Sequence, residues 1–78
     1  MILPSRHWRF KVIQLSVNGQ VQRVESDASI ARLLESLALS GKRLAVEKNG
    51  AIVPRSQYAN TRLVEGDSLE IVVAVGGG

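Results

Sequence analysis

The chain has no cysteine, a single histidine, two prolines, and one each of tryptophan, tyrosine and phenylalanine among its 78 residues. Without cysteine there is no disulfide framework, no thiolate metal site and no cysteine nucleophile on this chain, and the composition suits a reducing compartment. The lone histidine, His7, lies in an aperiodic leader, so neither a Ser-His-Asp arrangement nor a histidine-based metal site can be assembled. Long apolar runs are missing too. No stretch approaches the roughly 18 residues of a membrane span, and Met1 to Phe10 holds too short an apolar run for a signal peptide. A soluble, cytoplasmic protein without membrane contact is therefore expected. The carboxylates Asp27, Glu35, Glu47, Glu65, Asp67 and Glu70 are dispersed, and read as solvated surface groups in turns or on polar faces rather than a general acid/base pair. No metal site, no bound cofactor and no catalytic residue are expected, and the chain reads as a substrate of enzymes more than an enzyme.

Charge narrows the partners further. The formal net charge is +3, but Arg6, Arg9 and Lys11 in the leader account for the excess, and residues 12–78 carry seven basic and seven acidic side chains. A nucleic-acid module concentrates positive charge on a face of the fold itself, so a neutral domain argues against nucleic acid as the partner. The leader shows no helix or strand period, and residues 1–11 are read as a flexible, dispensable extension.

What is present begins at Val12. Ile13, Leu15 and Val17 alternate with Gln14, Ser16 and Asn18, the period of a strand with one buried face, and Asn18-Gly19 signals a two-residue hairpin turn. The return strand, about Gln20 to Glu25, has Val21 and Val24 on opposite parities, which points to an edge strand with room for a bulge. Asp27 and Ser29 are both candidate caps for a helix whose apolar stripe is Ile30, Leu33, Leu34 and Leu37, with Gly41 as its stop and Lys42 and Arg43 near the negative end of its dipole. Leu44 to Lys48 is a third strand with Leu44 and Val46 inward. Asn49-Gly50 turns it into a short segment at Ile52-Val53, which Pro54 ends. Arg55 to Tyr58 reads as a turn or single helical turn, Leu63 returns to the core, and Glu65-Gly66-Asp67 reverses the chain into a last strand, Leu69 to Val75. One helix can cover such strands if it is grasped by a mixed sheet of about five strands, with the first and last strands as parallel central neighbours. The class is α+β, with a domain over 12–75.

The last strand runs into Gly76-Gly77-Gly78. Three glycines have no side chains to obstruct a narrow channel and reach roughly 10 Å when extended. If Gly78 ends the protein, its α-carboxylate, with a reference pKa of about 3.3–3.7, is ionised at neutral pH and is an oxygen nucleophile. No helix follows, so the glycines are not a phosphate-binding loop. Leu69, Ile71, Val73 and Val75 on the inner face of the strand would leave Glu70, Val72 and Ala74 on the outer one, a candidate partner-binding face just before the tail.

Several segments together carry a family resemblance: Leu44 through Gly50, Ile52-Val53-Pro54-Arg55, Glu65-Gly66-Asp67, and Leu69-Glu70-Ile71-Val72 through Gly76-Gly77-Gly78, with Val17-Asn18-Gly19 and the Leu33-Leu34 helix. In these the chain resembles ThiS, the sulfur carrier of thiamine biosynthesis, over most of residues 12–78. The resemblance implies a ubiquitin-like β-grasp fold. It also implies that a ThiF-like adenylating enzyme activates the terminal glycine with ATP. Sulfur from a persulfide donor then gives a C-terminal thiocarboxylate, and a ThiG-like thiazole synthase takes that sulfur. Mapped onto this sequence, Gly78 is the reacting residue, Gly77 its unhindered neighbour and Gly76 part of the flexible arm, on a carrier that is monomeric when free. A molybdopterin-synthase small subunit of the MoaD type and a ubiquitin-like protein modifier share the fold and tail and stay open as alternatives. The Val-Pro-Arg turn and the Glu-Ile-Val-Val-Ala-Val ending favour ThiS.

Overall fold

The computed structural model describes residues 11–74. The expectations for residues 1–10, for Val75 and for Gly76, Gly77 and Gly78 therefore lie outside the described residues. In chain order the elements are β1 (Val12–Val17), β2 (Gln20–Glu25), α1 (Ile30–Ser36), β3 (Leu44–Lys48), β4 (Ala51–Val53), a single 3₁₀ turn (Arg55–Gln57) and β5 (Ser68–Val73). They form one five-stranded sheet in the order β2-β1-β5-β3-β4. β1 and β5 are parallel neighbours, whereas the β1–β2, β3–β4 and β3–β5 pairs are antiparallel. This is the mixed, helix-grasping sheet that the sequence pattern called for, with β5 at its centre.

Both hairpins turn at the Asn-Gly pairs. Asn18 and Gly19 sit at φ 52° and 84°, Asn49 and Gly50 at 53° and 89°. Two consecutive left-handed residues define the turn whose twist matches that of the flanking strands, and Asn-Gly is the pair that adopts it at least cost. β2 is an edge strand and pairs with β1 without interruption from Val12–Glu25 to Val17–Gln20, so no bulge is needed. The conflicting parity of Val21 and Val24 resolves more simply: Val24 packs on the core and Val21 stays exposed on the other face.

The helix begins where the sequence indicated. Ser29 Oγ accepts from Arg32 N at 3.2 Å, while Ile30 N and Ala31 N donate to the carbonyls of Thr61 and Tyr58, both at 3.0 Å. The first three helical N–H groups, which have no partner inside the helix, are thus all satisfied. Asp27, the other candidate cap, lies outside the helix and pairs with Arg62 at 3.8 Å. The helix ends earlier than expected. Its last residue is Ser36, not a residue beside Gly41, and Ala38 takes the left-handed conformation at φ 61°. Ala38 N donates to Glu35 O and Leu39 N to Leu34 O, the paired bonds of a Schellman stop. Gly41 belongs to a separate turn closed by Lys42 N and Leu39 O, so Lys42 and Arg43 are removed from the helix terminus.

Ile30, Leu33 and Leu34 of α1 pack on Leu15, Val17, Val46, Leu69 and Ile71 from the sheet, with Leu63 closing the core from the connecting loop. Each such side chain, fully buried, contributes about 1.5–3 kcal/mol relative to exposure. Leu37 and Leu44 pack at the margin.

Candidate functional site

β5 is the last described element before Gly76-Gly77-Gly78 in the sequence, so the contacts that fix β5 fix the strand that precedes the glycines. Its inner residues Leu69 and Ile71 are buried and Val73 is half-buried, while Glu70, Val72 and Ala74 are exposed on the opposite face. The three residues expected to form a partner-binding face are therefore together on one open surface of the central strand, with Val72 66% exposed. The strand remains bonded to its neighbour up to the last described position, where Ala74 N donates to Arg43 O at 2.9 Å.

Two turn asparagines hold β5 from either side. On the β1 side, Ser16 N and Asn18 N donate to Asp67 O and Leu69 O. Asn18 then extends the ladder with its side chain, Oδ1 accepting from Ile71 N at 2.7 Å and Nδ2 donating to Ile71 O at 3.0 Å. A side-chain amide thus substitutes for the backbone amide that β1 no longer supplies once it turns at Gly19. On the β3 side, Asn49 N donates to Ser68 O at 2.7 Å and its Oδ1 accepts from Ser68 N at 2.9 Å. The residues that make the hairpin turns are also the residues that set the register of the tail-bearing strand.

Asp67 completes this clamp and corrects an expectation. Its place in a Glu-Gly-Asp turn predicts a solvated carboxylate, but Asp67 is 4% exposed. Oδ2 accepts from Val64 N at 2.9 Å, closing the Glu65-Gly66 reversal, and Oδ1 accepts from Asn49 Nδ2 at 3.0 Å. Lys48 Nζ stands 3.9 Å from the same Oδ1. A buried charge is tolerable when it is paired and hydrogen-bonded in this way. The role is structural: the carboxylate links the β3–β4 turn to the start of β5. Among the described residues no cluster of potential metal ligands occurs and no buried side-chain polar atom lacks a partner. No described helix is long and apolar enough to cross a membrane.

The outer face is wider than the three residues of β5. Register brings Ala45 opposite Val72 and Glu47 opposite Glu70, and Ile52 of β4 lies beside Glu47. Parity along β5 alone does not predict these neighbours. The outward parity of Ala45 and Glu47 was readable from Leu44 and Val46 pointing inward, but their alignment with β5 required knowing that β3 and β5 are antiparallel.

A five-stranded mixed sheet wrapped around one helix, with parallel first and last strands, defines a β-grasp domain, and Gly76-Gly77-Gly78 follow its central strand in the sequence. Comparison with known proteins gives the family. The ThiS family model matches residues 11–78, which takes in all three terminal glycines. A sulfur carrier protein ThiS from Bacillus subtilis is 37% identical over 65 residues, covering 82% of this chain and 98% of that protein. The crystal structure of a thiamine biosynthesis protein (ThiS) from Geobacter metallireducens superposes with a TM-score of 0.72 at 29% identity, covering 85% of this chain and all of that one. A thiazole synthase of Paramagnetospirillum magneticum is 38% identical over 66 residues. This chain spans only a fifth of the length of that protein and of the thiazole synthase it matches in Magnetococcus marinus. The chain belongs to the ThiS family.

Proposed function

We propose that the protein is a sulfur carrier, acted upon by enzymes rather than being one, and that Gly78 is its reacting residue. The observation that carries the reading is the family match extending through Gly78 on a domain whose central strand leads to that tail. The reading requires Gly78 to bear the free α-carboxyl group. One carboxylate oxygen attacks the α-phosphorus of ATP in a ThiF-like partner, expelling pyrophosphate and leaving an acyl-adenylate. The terminal sulfur of a cysteine persulfide then attacks the acyl carbon and AMP departs. A second thiol attacks the donor's cysteine sulfur in the resulting acyl disulfide, forming a protein disulfide and releasing the thiocarboxylate. A thiazole synthase is the proposed acceptor, supported by the relatives that bear that name.

In this scheme the chain supplies no acid, base or metal. Its contributions are the nucleophilic carboxylate, an unhindered arm in Gly76 and Gly77, and the face formed by Glu70, Val72 and Ala74 on which a partner docks. Gly77→Ala tests the arm by placing a methyl group beside the reacting carbonyl. Thiocarboxylate formation should slow sharply while the circular dichroism spectrum and thermal midpoint stay as in the wild type. Normal turnover by this variant would contradict the proposal.

A further inference from the structure

On the open face, Glu70 of β5 lies directly across from Glu47 of β3. Like charges opposed on an antiparallel pair repel. The ion pairs among the described residues engage Glu35, Asp67 and Asp27 and leave Glu47 and Glu70 out. Beside this pair lie Ile52, 65% exposed, and Val72, 66% exposed, with Ala45 opposite Val72. Water screens the repulsion in the free domain, so the fold tolerates it. Covering the face removes that screening and strengthens every charge interaction beneath the cover.

We infer that this face receives a partner surface in which an arginine or lysine is set among apolar side chains. The cation lies over Glu47 and Glu70 while Val72 and Ile52 pack beside it. The inference rests on the sulfur-carrier reading and adds the chemical character of the docking partner. Charge complementarity selects the occupant. A second copy related by two-fold symmetry would bring the two acidic pairs together in one interface, and a nucleic-acid backbone or anionic membrane would meet the same repulsion.

The experiment is calorimetric titration of the full chain with a purified ThiF-type adenylating enzyme at low and high salt, using wild type, Glu70→Gln and Glu70→Lys. Binding of Glu70→Lys should weaken by about tenfold or more and that of Glu70→Gln by less, with the difference from wild type shrinking as salt rises. Meanwhile Glu70→Lys, now opposite Glu47 with the complementary sign, should raise the thermal midpoint of the free domain by about 1–4 °C. A variant that is more stable yet binds more weakly cannot owe its loss to misfolding. Wild-type affinity in Glu70→Lys would overturn the inference, as would weaker binding accompanied by a lowered midpoint. Self-association of the wild type that Val72→Glu abolishes would assign the face to a second copy instead. Failure of the wild type to bind the enzyme at all would overturn the sulfur-carrier reading beneath it.

Discussion

Truncating Asp67 to alanine should be among the most damaging single changes available outside the apolar core. The carboxylate accepts from Val64 N at 2.9 Å and from Asn49 Nδ2 at 3.0 Å in a site where Asp67 is 4% exposed. Removal leaves two donors without an acceptor, each at about 1–3 kcal/mol if water cannot replace it. Lys48, at 3.9 Å and partly exposed, adds little. Allowing for some entry of water into the space left behind, Asp67→Ala should cost about 3 kcal/mol, a large part of the roughly 4–12 kcal/mol available to a domain of this length. That corresponds to a fall of about 12–24 °C in thermal midpoint.

Asp67→Asn should be intermediate, at about 1–2 kcal/mol, for a specific reason. Its amide can offer oxygen to one donor only and turns an NH₂ toward the other. Asn49 cannot flip to accommodate it, because Asn49 Oδ1 is committed to Ser68 N at 2.9 Å. Urea unfolding followed by circular dichroism measures both variants, with the slope of the transition compared to confirm that the unfolded state is unchanged. A loss below about 0.5 kcal/mol for Asp67→Ala would refute the claim that this carboxylate fixes the start of β5.

Other substitutions test separate links. Ala38→Gly should stabilise the domain by about 0.5–1.5 kcal/mol, since a left-handed alanine at φ 61° pays a steric cost that glycine avoids; denaturant unfolding decides the sign. Asn18→Ala should destabilise by about 2–3 kcal/mol through loss of both amide bonds to Ile71 and of a residue suited to the left-handed turn, measured in the same way. Val72→Glu should leave the fold intact, the side chain being exposed, but weaken binding to the adenylating enzyme and thiazole synthase by over about 1 kcal/mol in calorimetric titration. Unchanged affinity in a folded variant would make the face passive.

The strands were legible because alternation and the Asn-Gly pairs act locally: Ile13, Leu15 and Val17 declare a buried face, and Asn18-Gly19 the turn that follows it. Ser29 was legible as a cap for the same reason. The end of the helix was not, because alanine carries no sign that it will adopt φ 61°, whereas Gly41, three residues on, does carry the usual mark of a stop. Nor was the burial of Asp67 readable, since a turn carboxylate looks alike whether or not an asparagine 18 residues earlier in the chain folds back to meet it. On the candidate face, Glu70, Val72 and Ala74 followed from parity along one strand. Their neighbours Ala45, Glu47 and Ile52 depended on register between strands, a long-range property that pairs of residues acquire only on folding.

The central claim is that Gly78 is the point of sulfur loading. Intact-mass spectrometry of the wild-type chain, incubated with a ThiF-type adenylating enzyme, ATP, a persulfide source and a reducing thiol, tests it most directly. The expected product has gained the mass of one sulfur in exchange for one oxygen, with fragmentation locating the change at Gly78 and no product forming when ATP is omitted. An unaltered mass with an enzyme that loads its own carrier under the same conditions, or a modification located anywhere other than Gly78, would contradict it.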